Sequence, residues 1–212
     1  MAIAAGQALA KTTDPKVRLP GVRYRFAKRL FDIVLASILL VIGGIPMLLV
    51  AAAIRLTSKG PALYWSDRVG IENHIFKMPK FRSMRVDAPQ LATHLFRNPA
   101  TYLTPVGGFL RKTSLDELPQ LISILKGDIS FVGPRPALFN QDDLVALRTE
   151  KGVHKLIPGL TGWAQINGRD SIPIPQKVDL DAYYLERCSF WFDLKVLFMT
   201  VFKVVKTEDV SH

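Results

Sequence analysis

A chain of 212 residues with 49% hydrophobic and 22% charged residues and a positive mean hydropathy of +0.18 is long enough for a membrane anchor plus a domain of about 150 residues. Its apolar residues must therefore be clustered. A formal charge of +10 and a pI near 9.9 require an anionic partner, either nucleic acid, anionic lipid head groups or phosphorylated substrates. The single cysteine, Cys188, excludes an intramolecular disulfide framework and a CxxC metal knuckle, and a reducing compartment is its simplest home.

In chain order, residues 1–22 read as a weakly patterned, flexible tail. Between Met1 and Arg29 stand seven basic residues (Lys11, Lys16, Arg18, Arg23, Arg25, Lys28 and Arg29) against one acid, Asp14. Such a cluster before an apolar helix reads as a contact with anionic lipid, about 1 kcal/mol per basic residue near the surface, or as a solvated tail. From Ile33 to Ile54 there is no charge, and as a helix this run would be roughly 33 Å long, about the thickness of a bilayer's hydrocarbon core. Its length and the long stretch before it exclude a cleaved signal peptide ending at Ala51-Ala52-Ala53. Gly43, Gly44 and Pro46 lie at its centre, where they weaken a helical hydrogen-bond ladder. Arg55 and Lys59 follow, so positive charge flanks the run on both sides, against the one-sided excess of a true span. These features predict a re-entrant hairpin over residues 23–58 that turns at Gly43 to Pro46, with arms of roughly 15–18 Å, too short to cross.

After Lys59-Gly60-Pro61, the alternating runs Ala62–Ser66 and His74–Met78 predict a small β-hairpin. The block Val106–Lys126 is helical in its second half, with Leu115, Leu118, Leu121, Ile122 and Leu125 on one face and a stop at Gly127. Ile129–Val132 reads as a short strand, and residues 156–178 as loop-rich. The apolar run Phe190–Val205 reads either as a helix lying on a bilayer or as a buried core helix. The fold class is α+β, mainly helical: a re-entrant membrane helix-hairpin, a small β-hairpin and interfacial amphipathic helices. Residues 59–206 form the domain that carries the chemistry, and 207–212 a C-terminal tail.

Chemistry concentrates in KTSLDELPQL, Lys112–Leu121. Ser114 followed three residues later by Glu117 fits a helix capping box. The same placement suits function, since a carboxylate at a helix N-terminus stays ionised while unpaired N–H groups attract an anion. Asp116 and Glu117 suit Mg²⁺, which binds through one or two carboxylates and substrate phosphates. Lys80 and Arg82 in KFRSM, Arg111, Arg135 in FVGPRPAL and Arg169 in PGLTGWAQINGR supply phosphate-binding cations in Gly- and Pro-rich settings. Walker and GxGxxG patterns are absent. The four histidines are too scattered for a zinc site, and no aromatic-rich basic motif points to nucleic acid.

The ordered motifs KRLFDIVLASILL with its following Pro, DRVG, KFRSM, TSLDELPQL, KGDISFVGPRPAL, PGLTGWAQINGR and YYLERCSFWFDLKVLFMTVFKVV, over residues 23–206, resemble the bacterial sugar transferases of the monotopic phosphoglycosyl transferase superfamily. The likeness is to the small members that consist of the catalytic core alone. It implies transfer of a sugar 1-phosphate from a UDP-sugar to polyprenol phosphate at the cytoplasmic face of the bacterial inner membrane. The products would be UMP and a polyprenyl-diphosphate sugar, which initiates an exopolysaccharide, O-antigen or glycoprotein glycan. It further implies Asp116 as nucleophile and Mg²⁺ ligand and Glu117 as its metal-assisting or proton-handling partner. Arg111, Arg135 and Arg169 would bind phosphate or nucleotide, and Lys80 and Arg82 would line the same site. The anionic bilayer is a further partner, and self-association is left open. Two departures stand out: Ile45 precedes Pro46 where many relatives have Ser, and Pro79 precedes KFRSM where an aromatic is common. A non-catalytic membrane scaffold, or an inactive member of the family, is the alternative function.

Overall fold

The computed structural model describes residues 19–89, 99–168 and 172–206; both predicted tails, and Arg169, lie largely or wholly outside them. The longest element is helix α1, Val22–Thr57, 36 residues that include Pro46. It is long and apolar enough to cross a membrane. Helical structure continues through Gly43, Gly44 and Pro46, so the predicted pair of arms joined by a non-helical turn is replaced by one helix. Pro46 still removes the N–H that would bond the Ile42 carbonyl. The two glycines are not sites of close packing, because a Cβ on either would meet nothing within 4 Å.

β1, Leu63–Val69, and β2, Ile75–Phe81, form the predicted hairpin, a little longer than the alternation required, with Leu63 opposite Phe81 and Val69 opposite Ile75. Pro79 fits in β2 because this sheet has only two strands and an edge strand can lack an outward N–H. Three short helices follow: α2, Gly107–Lys112; α3, Gln120–Lys126; and α4, Asp142–Glu150. Gly127 ends α3 at φ 95°, the left-handed stop that a C-terminal glycine provides. β3, Ser130–Val132, pairs in parallel with β4, Gly159–Thr161. α5, Trp163–Ile166, α6, Ile174–Arg187, and α7, Phe190–Lys206, complete the chain. The loop-rich stretch 156–178 contains β4, α5 and the start of α6; the three- and four-residue lengths of β4 and α5 and the many Gly and Pro residues around them hide their periodicity.

Three apolar clusters hold these elements together. Ala36 of α1 joins Leu121, Ile124, Ile129, Phe131, Tyr184 and Val196 in the largest, and Ile54 near the other end of α1 joins Phe81 and Leu110 in a second. Ala137, Leu144 and Val178 form the third, between α4 and α6. α7 is buried along one side and exposed along another: Val196 is fully buried, while Trp191, Phe198 and Phe202 are exposed.

Polar contacts fix the N-terminal half of α1 in register. Asp193 of α7 accepts hydrogen bonds from Tyr24 Oη at 2.8 Å, Lys28 Nζ at 2.6 Å and Tyr184 Oη at 2.6 Å. Arg29 donates at 2.6 Å to the Ile124 and Leu125 carbonyls at the C-terminal end of α3, where helix carbonyls run short of backbone donors. Lys28 and Arg29 thus serve internal packing, and within the described part of the basic cluster only Arg23 and Arg25 stay exposed. Asp32, 3% exposed, accepts from Ser130 Oγ and the Phe131 N–H, both at 3.1 Å. Asp32→Ala would leave both donors without an acceptor and is expected to destabilise the protein by about 1–3 kcal/mol. Thermal unfolding in detergent should show this loss, with Ile42→Ala on the exposed face of α1 as a near-neutral control.

Candidate functional site

Asp116 and Glu117 lie in a 3₁₀ turn, Leu115–Glu117, that precedes α3 rather than forming its first turn. The predicted capping box is not made. Ser114 adopts φ 57° with no side-chain cap bond, and α3 begins after Pro119. The Glu117 side chain turns instead toward two cations: Oε1 accepts from Arg135 Nη2 at 2.6 Å and from Lys80 Nζ at 3.2 Å. Leu115 and Leu118, on either side of the pair, pack into the cluster around Ile54 of α1.

The cations come from segments held by close backbone approach. The loop Gly133–Pro136 after β3 carries Arg135, and it lies so near β4 that a Cβ at Gly159 would fall 2.1 Å from the Gly133 nitrogen. A side chain there would push the loop, and Arg135 with it, off its place. α2 carries Arg111 at its C-terminal end, and a Cβ at Gly107 would fall 2.0 Å from the Ser83 carbonyl oxygen. Across that contact Arg111 Nε donates to Ser83 Oγ at 3.1 Å. Lys80 is brought in by β2, opposite Tyr64 in the hairpin.

The two adjacent carboxylates are treated in opposite ways. Burial alone would raise the Glu117 carboxyl, but Arg135 and Lys80 outweigh it and hold the group well below the ordinary carboxylate range. Burial pushes the Asp116 carboxyl up, against the pull of Lys80 and of Arg111 and Arg135. Among the described residues none hydrogen-bonds Asp116, which is 9% exposed. Burial also lowers Lys80 and Arg111 from their usual values. The site therefore holds one carboxylate kept ionised by two cations that share its Oε1, beside another that is desolvated, near positive charge and unengaged.

Asp116, Glu117, Lys80, Arg111 and Arg135 are thus together. Arg82 is not with them: its Nε donates to the Pro61 carbonyl at 2.8 Å and its guanidinium lies over the Tyr64 ring, near the end of α1. Arg169 is outside the described residues. Among the described residues no three His, Cys, Asp or Glu side chains cluster as a ready metal site. A cation here would find Asp116 as its one unengaged carboxylate and would take further oxygens from a substrate, which fits Mg²⁺.

Arg68 and Arg148 carry no assignment in the sequence reading. Arg68 Nη1 donates to the Pro136 carbonyl at 3.1 Å, and Arg148 Nη1 to the Arg135 carbonyl at 2.8 Å. For Arg68 the signal is strand period, which puts it on the same face of β1 as buried Ser66. For Arg148 there is none, since α4 has no clear apolar stripe to show which side is inward.

Asp116→Asn removes an unsatisfied buried charge and is expected to leave stability within about 1 kcal/mol of the parent, or to raise it. Glu117→Ala strips Lys80 and Arg135 of their shared carboxylate and should lower the melting temperature. Thermal unfolding of the two variants side by side separates these outcomes.

The bacterial sugar transferase family model matches residues 23–207. The chain is 42% identical over 187 residues to the uncharacterized sugar transferase EpsL of Bacillus subtilis (strain 168), covering 87% of this chain and 90% of that protein. It is 41% identical over 193 residues to the UDP-glucose:undecaprenyl-phosphate glucose-1-phosphate transferase of Escherichia coli (strain K12), covering 87% of this chain but 41% of that protein. A UDP-N-acetylgalactosamine-undecaprenyl-phosphate N-acetylgalactosaminephosphotransferase of Aeromonas hydrophila is 35% identical over 188 residues, 86% of this chain and 44% of that protein. The chain therefore spans less than half the length of two of these three relatives.

Proposed function

The chain belongs to the bacterial sugar transferase family, and from that membership and the geometry of the site we propose that it transfers a sugar 1-phosphate from a UDP-sugar to undecaprenyl phosphate. Relatives named for this reaction use glucose and N-acetylgalactosamine donors, and the reading commits to the reaction class rather than to one sugar. Its product, an undecaprenyl-diphosphate sugar, would start a surface glycan.

The observation that carries the reading is the unequal treatment of Asp116 and Glu117. A nucleophile must have an oxygen free to attack, and Asp116 is the one carboxylate of the pair that is not tied up. An Asp116 oxygen attacks the sugar-bearing phosphorus of the UDP-sugar. The P–O bond to UMP breaks, UMP leaves with that electron pair, and a phosphosugar stays on Asp116 as a mixed anhydride. A phosphate oxygen of undecaprenyl phosphate then attacks the same phosphorus, releases the Asp116 carboxylate and yields the diphosphate-linked product, a ping-pong sequence. Arg111 and Arg135 face the charge that builds on the transferring phosphoryl oxygens, where fixed cations in a dry site act most strongly. Glu117 keeps Lys80 and Arg135 in place, since a carboxylate held well below its usual range is a poor proton carrier at neutral pH. Mg²⁺ on Asp116 and substrate oxygens would neutralise part of the diphosphate charge.

The same reading places α1 in the inner membrane as a bent, re-entrant helix with the site on the cytoplasmic face. Tyr24 near its start and Ile54 near its end both pack on the one domain. Between these anchors Val41, Ile42, Ile45, Leu48 and Leu49 are exposed, an apolar stretch suited to lipid. Trp191, Phe198 and Phe202 of α7 suit the bilayer interface.

Purified protein in nanodiscs with undecaprenyl phosphate and a panel of UDP-sugars should release UMP from at least one donor. Release should stop with chelator, return with Mg²⁺, and fall at least about 10³-fold in Asp116→Asn. Activity retained in Asp116→Asn would remove the nucleophile assignment, and no release from any donor would favour a non-catalytic scaffold. For topology, single cysteines in a Cys188→Ser background, placed before Arg23 and after Lys59, should react with an impermeant thiol reagent from the same side of the membrane. Labelling from opposite sides would restore a simple span.

A further inference from the structure

Arg135 is the one partly exposed residue of the otherwise buried Gly133–Pro136 loop, its side chain 35% exposed, so the direction in which it points depends on how its backbone is held. Its own carbonyl accepts from Arg148 Nη1 at 2.8 Å. Arg148 in turn donates from Nε at 3.0 Å and Nη2 at 2.6 Å to a single oxygen, Oδ2, of Asp181 on α6. The side chains of this pair are 9% and 1% exposed. We infer that Arg148 and Asp181 are positioning residues, which aim Arg135 at Glu117 and at the phosphoryl group through a buried relay from α6 to the Gly133–Pro136 loop; the inference rests on the function proposed above.

Physical magnitudes favour this over a purely stabilising role. α4 and α6 already meet through Leu144, Val178 and Ala137, and a buried ion pair adds little over well-packed apolar side chains, because desolvation consumes most of the attraction. What an apolar pair cannot supply is a donor pointed at one carbonyl. An arginine fork serves Asp181 with one edge and Arg135 with the remaining nitrogen. A lysine, with a compact ammonium, cannot reach both in the same geometry. Displacement of Arg135 by about 1 Å is enough to cost roughly 100-fold in a reaction that depends on alignment.

The test uses the full chain in nanodiscs and the variant Arg148→Met/Asp181→Leu, which replaces the pair by apolar side chains of similar size. It should melt at or above the parent temperature, yet lose between about 10- and 100-fold in kcat/KM for the UDP-sugar. Arg148→Lys should not restore the rate. Because the relay acts through Arg135, the loss should not multiply with that of Arg135→Lys when the changes are combined. Hydrogen exchange of the peptide covering residues 133–138 should quicken while α4 and α6 keep their protection. Parental kcat/KM in the double variant, fully multiplicative losses, or unchanged exchange in the loop would each overturn the inference. Should the double variant not fold, Asp181→Asn carries the same combination with Arg135→Lys. The exchange measurement needs no turnover, so a parent protein that releases no UMP refutes the proposed reaction while the loop result still decides the relay.

Discussion

Three separate parts of the chain meet at one carboxylate. Glu117 binds Lys80 from the hairpin and Arg135 from the loop after β3, and without it two cations would face each other across a partly buried gap. Unpaired, they would repel one another and pay desolvation with no return. With Glu117 between them the hairpin, the 3₁₀ turn and the loop are drawn together, and a positive rim is left over that one carboxylate cannot neutralise. Asp116 sits within that excess. Its neighbour satisfies the structural need for an anion, so Asp116 itself can stay unbonded.

A second constraint acts from α1. Buried charge on an apolar helix is costly unless every group is partnered, and Lys28, Arg29 and Asp32 are all partnered by the domain. Those contacts set both the rotation and the depth of the helix, because a shift of one residue would turn Asp32 about 100° away from the Phe131 N–H. At the other end contact is purely apolar, through Ile54, Val50 and Met47. Between the two anchors the helix has little to hold it straight.

The hairpin, the Gly127 stop, the strand after Ile129 and the long C-terminal helix were legible because period and punctuation act locally. So were most residues of the site, since arginines and adjacent acids in Gly- and Pro-rich segments have few structural uses. Two features misled. Ser114 and Glu117 have capping-box spacing, but the stronger pull of Lys80 and Arg135 on Glu117 is a tertiary effect that spacing cannot reveal. Gly43, Gly44 and Pro46 lower helix propensity, yet a single missing hydrogen bond in a long apolar helix is not enough to end it. Arg82 shared a motif with Lys80 but falls past the end of β2, where it is captured by the Pro61 carbonyl instead. The pairing of Arg148 with Asp181 spans 33 residues, and no local pattern announces it.

The two constraints converge on the carboxylate pair. Leu115 and Leu118 bracket Asp116 and Glu117 and pack in the same cluster as Ile54, so the last turns of α1 serve as the floor under the dyad. If α1 is the element immersed in lipid, its depth is also the height of Asp116 above the hydrocarbon, with no flexible linker between them. A reaction that joins a water-soluble nucleotide sugar to the phosphate of a membrane-embedded alcohol requires the nucleophile at the level where the two reactants meet. Rigid packing of the dyad on α1 would then meet that requirement by geometry, and the polar contacts of Lys28, Arg29 and Asp32 would act beyond stability by holding the helix, and hence the dyad, at one depth.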